Sequence, residues 1–111
     1  MASADDVRRI ALSLDGATAA PHFDRTAFKV ARTFATLAAD GLTINLKLTP
    51  DEQELKCLTH RQAFAPVPNA WGAQGWTTAT LARLTVAELD AALRLAWQHA
   101  HPKPKSRTKR S

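Results

Sequence analysis

The side chains of this 111-residue chain most suited to chemistry are four histidines, one cysteine and a group of cations on strand-like segments. His99 and His101 lie two apart at the end of a helical pattern, so they do not share a helical face and are expected to be solvated. His60 follows a short helical segment, where a protonated ring suits the negative end of the dipole. His22, between Pro21 and Phe23, reads as a packed or hydrogen-bonded loop residue before the first strand rather than a base. A nucleophilic Cys57 needs a base and an electropositive setting. The sequence assigns neither, and beside Leu55 and Leu58 it reads as a packing thiol. Phosphate-loop, dinucleotide-fingerprint and nucleophile-elbow patterns are all missing. No catalytic residue and no cofactor are therefore expected. A single cysteine also excludes a Cys-rich zinc site and an internal disulfide. Asp5 and Asp6 are countered by Arg8 and Arg9, which argues against an oxygen-rich surface for a hard cation, so no metal is expected.

The cations carry more information. From Arg25 to Lys47 the chain holds Arg25, Lys29, Arg32 and Lys47 against Asp40 alone. Strand alternation sets Lys29 opposite Phe28 and Val30, and Lys47 opposite Leu46 and Leu48. With the leucines facing a core, these cations share an open sheet face with Thr43 and Asn45. Such a face suits phosphate contacts, with hydroxyl and amide groups near sugars or bases; the simpler reading is an ordinary solvated sheet face. A second site is suggested by FAPVPNAWGAQGWTT, Phe64–Thr78, where Pro and Gly shape a connector that Trp71 and Trp76 are expected to hold down. Those tryptophans, with His22 and Gln74 as polar contacts, are the wall of an alternative small-molecule or peptide pocket. Trp97 falls in the apolar stripe of the last helix and is expected in the core.

These side chains need elements to position them. Val7, Ile10, Ala11 and Leu14 recur at helical spacing, with Ser3 and Asp6 as a capping box, predicting a first helix over about 4–14. Ala27–Val30 and Thr33–Leu37 read as strands joined by a tight, bulged turn at Ala31-Arg32. Asp40-Gly41 then turns into the clearest strand, in which Leu42, Ile44, Leu46 and Leu48 alternate with polar residues. Thr49-Pro50-Asp51-Glu52 combines N-cap, first-turn proline and capping box, starting a short helix to about Thr59. Trp76–Ala79 can form a last strand. Thr85 to Glu88 is another capping box, and Leu89, Ala92, Leu93, Ala96, Trp97 and Ala100 stripe the final helix, which Pro102 stops. The order implies an α+β sandwich: a small antiparallel sheet with helices on one face.

Length allows one domain, expected over 1–101, and roughly two-thirds of its surface can be buried at this size. The net charge of +5 comes from the end of the chain. Lys103, Lys105, Arg107, Lys109 and Arg110 carry the excess on a segment without apolar anchors, expected to be disordered. It reads either as a solubilising end or as an electrostatic arm for nucleic acid. No signal-like leader and no run of membrane-spanning length occur, so a cytoplasmic monomer without membrane contact is expected.

Several segments together resemble one family: Pro21-His22-Phe23, Phe28-Lys29-Val30, Phe34-Ala35-Thr36-Leu37, Leu46-Lys47-Leu48-Thr49-Pro50 with Glu52, and Phe64 to Gly72 with Gly75-Trp76-Thr77. In order and spacing they are similar to the MmcQ/YjbR family over roughly residues 4–100. The resemblance implies a compact frataxin-like (CyaY-like) fold and a DNA partner, and it brings no catalytic motif. Family members often carry glycine in the first hairpin, where this chain has Ala31-Arg32.

Overall fold

The structure, a computed structural model, describes residues 1–100. His101 and the cations Lys103, Lys105, Arg107, Lys109 and Arg110 lie outside the described residues.

Helix α1 (Ala4–Ser13) opens with the expected reciprocal cap: the Ser3 hydroxyl accepts from the Asp6 amide, and the Asp6 carboxylate accepts from the Ser3 amide. It buries Val7, Ile10 and Ala11. On its solvent side Asp5 and Asp6 pair with Arg8 and Arg9 at 3.2 and 3.1 Å. Six antiparallel strands follow, in the spatial order β1-β2-β3-β4-β6-β5: β1 (Thr18–His22), β2 (Arg25–Lys29), β3 (Thr33–Leu37), β4 (Thr43–Lys47), β5 (Phe64–Pro66) and β6 (Trp76–Thr80). Helix α2 (Pro50–Thr59) lies between β4 and β5, and the short α3 (Ala70–Ala73) lies between β5 and β6. A 3-10 turn, Leu81–Arg83, leads to α4 (Val86–Ala100).

One face of the sheet is the core face. Phe28, Phe34, Ala35, Leu37, Ile44, Leu46 and Ala79 are buried there with Leu89, Leu93 and Ala96 of α4. Each large aliphatic side chain contributes about 1.5–3 kcal/mol by leaving water. The α+β sandwich expected from the sequence is the fold observed.

Several details differ from the sequence-based expectation. Two strands, β1 and β5, occur where loops were expected, so His22 is a strand residue rather than part of a preceding loop. Leu42 precedes β4 and is 64% exposed, because the strand begins at Thr43 after the Asp40-Gly41 turn. The bulge falls between the pairs Phe28–Ala35 and Lys29–Thr33, which leaves Phe34 as the extra residue. Phe34 and Ala35 therefore both point inward, and Thr33 is transferred to the open face. Trp97 is only partly buried; it packs against the core, and its indole N–H donates to the Asp15 carbonyl at 2.9 Å.

Helices α2 and α4 are tied end to end by two histidines. His99, expected to be solvated, lies 2.7 Å from Glu52, the capping-box residue of α2. His60, the C-cap of α2, lies 3.0 Å from Glu88, which caps α4 with Thr85. Burial raises the Glu52 carboxyl, but the hydrogen bonds from Thr49 and His99 outweigh it and hold the group below its ordinary value. Glu88 is likewise held down, chiefly by the Thr85 amide. Cys57 is half-buried, and that burial pushes its thiol up, as suits a packing residue. Its neighbours Leu55 and Leu58 are exposed.

Candidate functional site

The sheet face opposite α4 carries the residues whose side chains alternate away from the core: Arg25 and Lys29 on β2, Thr33 and Thr36 on β3, Thr43, Asn45 and Lys47 on β4, and Trp76 and Thr78 on β6. The register sets Ala27, Thr36, Asn45 and Thr78 in one row across four strands. The face is a concave depression of about 400 Å³. His22 and Arg25 form its rim on the β1–β2 side. Thr33, Thr36 and Asn45 form the floor, and Trp76, Val67, Asn69 and Trp71 rise on the far side. The volume lies within the range that small-molecule sites occupy.

The far wall depends on two close backbone approaches. A Cβ at Gly72 would stand 1.9 Å from the Val67 carbonyl oxygen, and one at Gly75 would stand 1.9 Å from that of Leu48. Gly75 also has φ +105°. Gln53 of α2 clamps the same segment by donating from Nε2 to the carbonyls of Gly72 and Trp76, both at 2.9 Å. Gln53 and the glycines therefore hold the connector, a role the sequence had given to the tryptophans. Trp71 is 58% exposed, and Trp76 is half-buried with its ring on the depression.

The polar groups are oriented as well as placed. Arg25 donates from Nε to the Thr36 hydroxyl at 2.8 Å and from Nη2 to the Thr36 carbonyl at 2.9 Å. Asn45 Oδ1 accepts from the Thr78 hydroxyl at 2.8 Å. Asn69, the N-cap of α3, accepts from the Trp71 amide at 2.8 Å. No aspartate or glutamate among the described residues lines the depression.

The residues proposed from sequence as two separate sites are thus partly merged. Arg25 and Asn45 from the cationic set meet His22, Trp71 and Trp76 from the connector set. Lys47 shares the face but serves the framework: its Nζ donates to the carbonyls of Gln74 at 2.7 Å and Leu48 at 3.3 Å. Gln74 contributes that carbonyl and does not line the depression. Lys29, Arg32 and Thr43 lie outside the lining; Lys29 and Arg32 are exposed, with no ion pair among the described residues. Thr33, Thr36, Val67 and Asn69 are lining residues the sequence reading missed. Thr36 was accessible from strand pairing opposite Asn45, whereas Thr33 reaches this face only through the bulge.

At the rim, the β1–β2 turn presents Phe23 at φ +57° and 93% exposed, its ring edge-on to His22 with centroids 4.9 Å apart. A bulky residue in this backbone region is an outlier.

No curated protein matches this chain. Among solved structures it is similar to the Deinococcus radiodurans protein DR2400, described by its domain of unknown function, DUF419. The two share 26% identity and superpose with a TM-score of 0.73, over 86% of this chain and 76% of that one. The YjbR family profile matches residues 12–99. That match covers both the rim strands and the Trp-bearing wall, and the chain belongs to the YjbR family.

Proposed function

We propose that this protein is a binding module that holds a small organic ligand in the depression on the open sheet face. The observation that carries this reading is the convergence of fixed polar groups and exposed aromatic rings on one concavity of about 400 Å³. Arg25, Asn45 and Asn69 are each held by a second residue, so the site is organised before a ligand arrives. Among the described residues the depression brings together no base and nucleophile, and binding is the simpler role.

Contact with DNA phosphates is the second reading. It is favoured by Lys29 at the end of β2 and Arg32 in the turn that follows, both exposed, and by the five cations after residue 101. It ranks behind the pocket because Lys47 is occupied with protein carbonyls and Arg25, fixed by Thr36, lines the concave depression.

The test is a thermal-shift screen of a fragment library against the native protein and Thr33→Trp, which fills the floor from a half-buried position. A fragment at ten times its Kd stabilises by about 1.4 kcal/mol, raising the midpoint by roughly 6 °C or more for a domain of this size. The expected result is a set of hits lost in Thr33→Trp. Salt-sensitive binding to duplex DNA that is unaffected by Thr33→Trp but lost in Lys29→Ala with Arg32→Ala, together with an empty fragment screen, overturns the reading in favour of DNA.

A further inference from the structure

We infer that the ligand of this depression is a flat organic anion whose two-oxygen head, carboxylate or phosphate, sits on the free edge of Arg25. This rests on the reading of the depression as a ligand pocket and specifies what that pocket takes. Asn45 Oδ1 already accepts from Thr78, which orients the amide and leaves both of its N–H donors unspent. Asn69 Oδ1 likewise accepts from the Trp71 backbone, and its N–H donors are unspent as well. Thr36 accepts from Arg25 through both its hydroxyl and its carbonyl, leaving the hydroxyl proton to donate. The indole N–H groups of Trp71 and Trp76 have no acceptor among the described residues. The groups so oriented offer mainly donors, and no aspartate or glutamate among the described residues lines the depression.

Arg25 sets the position of the charge. Nε and Nη2 form one edge of the guanidinium, and Thr36 takes both. The end-on edge, Nη1 with the second N–H of Nη2, has no partner among the described residues, and this edge matches the two oxygens of a carboxylate or phosphate. Arg25 is half-buried and has no ion pair among the described residues, so an anion there would supply the counter-charge it lacks. The tryptophan rings and Val67 opposite provide an apolar wall suited to a planar body.

Calorimetry with three probes of one shape tests this: 2-naphthoate, 2-naphthyl phosphate and the neutral 2-naphthamide. Either anion is expected to bind at least tenfold tighter than the amide, and the ratio between the two anions identifies the head group. Arg25→Gln is expected to abolish the preference. Asn45→Asp, which keeps the acceptor for Thr78 and turns the donor end into a carboxylate, is expected to weaken the anions at least tenfold more than it weakens the amide. Equal affinity of amide and anions in the native protein overturns the anion assignment and leaves the pocket standing. Anion binding unchanged in both variants also overturns it. If no naphthyl probe binds while neutral fragments still give shifts lost in Thr33→Trp, the anion assignment alone fails; if those shifts are missing too, the pocket itself falls.

Discussion

Three glycine-to-alanine substitutions, at Gly72 and Gly75 in the wall of the site and at Gly41 in the β3–β4 turn, separate backbone strain from steric clash. Gly41→Ala imposes mainly backbone strain, because φ is +74° and the new Cβ would meet the Ala4 methyl at 3.3 Å, a contact that can relax. An L residue in this region costs about 1–2 kcal/mol. Gly72→Ala imposes a clash without positive φ: its Cβ would lie 1.9 Å from the Val67 carbonyl oxygen, a backbone atom that no rotamer change can move aside. Overpacking of that kind costs about 1–3 kcal/mol. Gly75→Ala combines both, with φ +105° and 1.9 Å to the Leu48 carbonyl oxygen. Its own carbonyl accepts from the Leu48 amide at 3.1 Å and the Thr77 hydroxyl at 2.9 Å, so relief by backbone movement sacrifices hydrogen bonds. The sum is about 2–5 kcal/mol, or at least about 8 °C in midpoint at roughly 4 °C per kcal/mol. Urea and thermal unfolding of the three variants give the comparison. The expected order of loss is Gly41→Ala, then Gly72→Ala, then Gly75→Ala. A Gly75→Ala protein within about 1 kcal/mol of the native one, or one more stable than Gly41→Ala, refutes the close-approach account of the connector.

Other outcomes follow from the same contacts. Leu46→Asp places a charge in a fully buried position and is expected to abolish cooperative unfolding, whereas Asn45→Asp on the open face changes the urea midpoint little; equal effects reverse the assigned strand faces. Glu52 and Glu88 titrate below their ordinary values when folded, so their stabilisation is complete above about pH 4.3 and declines as pH falls through the lowered folded values. The stability gap between the native protein and Glu52→Gln, followed by midpoints from pH 7 to 2, is expected to close at the acid end; a gap independent of pH removes the histidine–glutamate ties from the account. Phe23→Asn relieves a bulky residue at φ +57° and is expected to raise stability by about 0.5–1 kcal/mol, and a loss on unfolding measurement contradicts the strain. The raised Cys57 thiol is expected to react with a disulfide reagent several-fold more slowly in the folded protein than in urea at pH 8, with equal rates as the contrary result.

What the sequence made legible was whatever depends on local rules. Capping boxes at Ser3, Thr49 and Thr85 marked helix starts because the side chains that mark them also make the caps. Alternation from Ile44 to Leu48 marked β4 because both neighbours and the core read the same period. The two missed strands, β1 and β5, are the two edges of the sheet, and each contains a proline, Pro21 and Pro66. An edge strand tolerates proline and lacks the two-sided pressure that produces alternation, so its sequence resembles a loop. The site was half legible. Arg25, Asn45, His22, Trp71 and Trp76 stood out by type, but that they face one another is a matter of register and of the Phe34 bulge, which no local pattern announces. By type Trp71 and Trp76 read as anchors, because large aromatics usually pack; here Gln53 and two glycines do the anchoring and free the rings to line the depression.

On the proposed reading, a small ligand binds the open sheet face against its tryptophan wall. The three indole N–H signals in a two-dimensional nitrogen–proton spectrum test it most directly, because Trp71 and Trp76 line the depression while Trp97 is bonded to Asp15 on another part of the molecule. Titration with 2-naphthoate is expected to move the Trp71 and Trp76 signals together, along with the side-chain amides of Asn45 and Asn69, and to leave Trp97 in place. Movement of Trp97 alone, or saturation binding that leaves Trp71 and Trp76 unmoved, contradicts the claim.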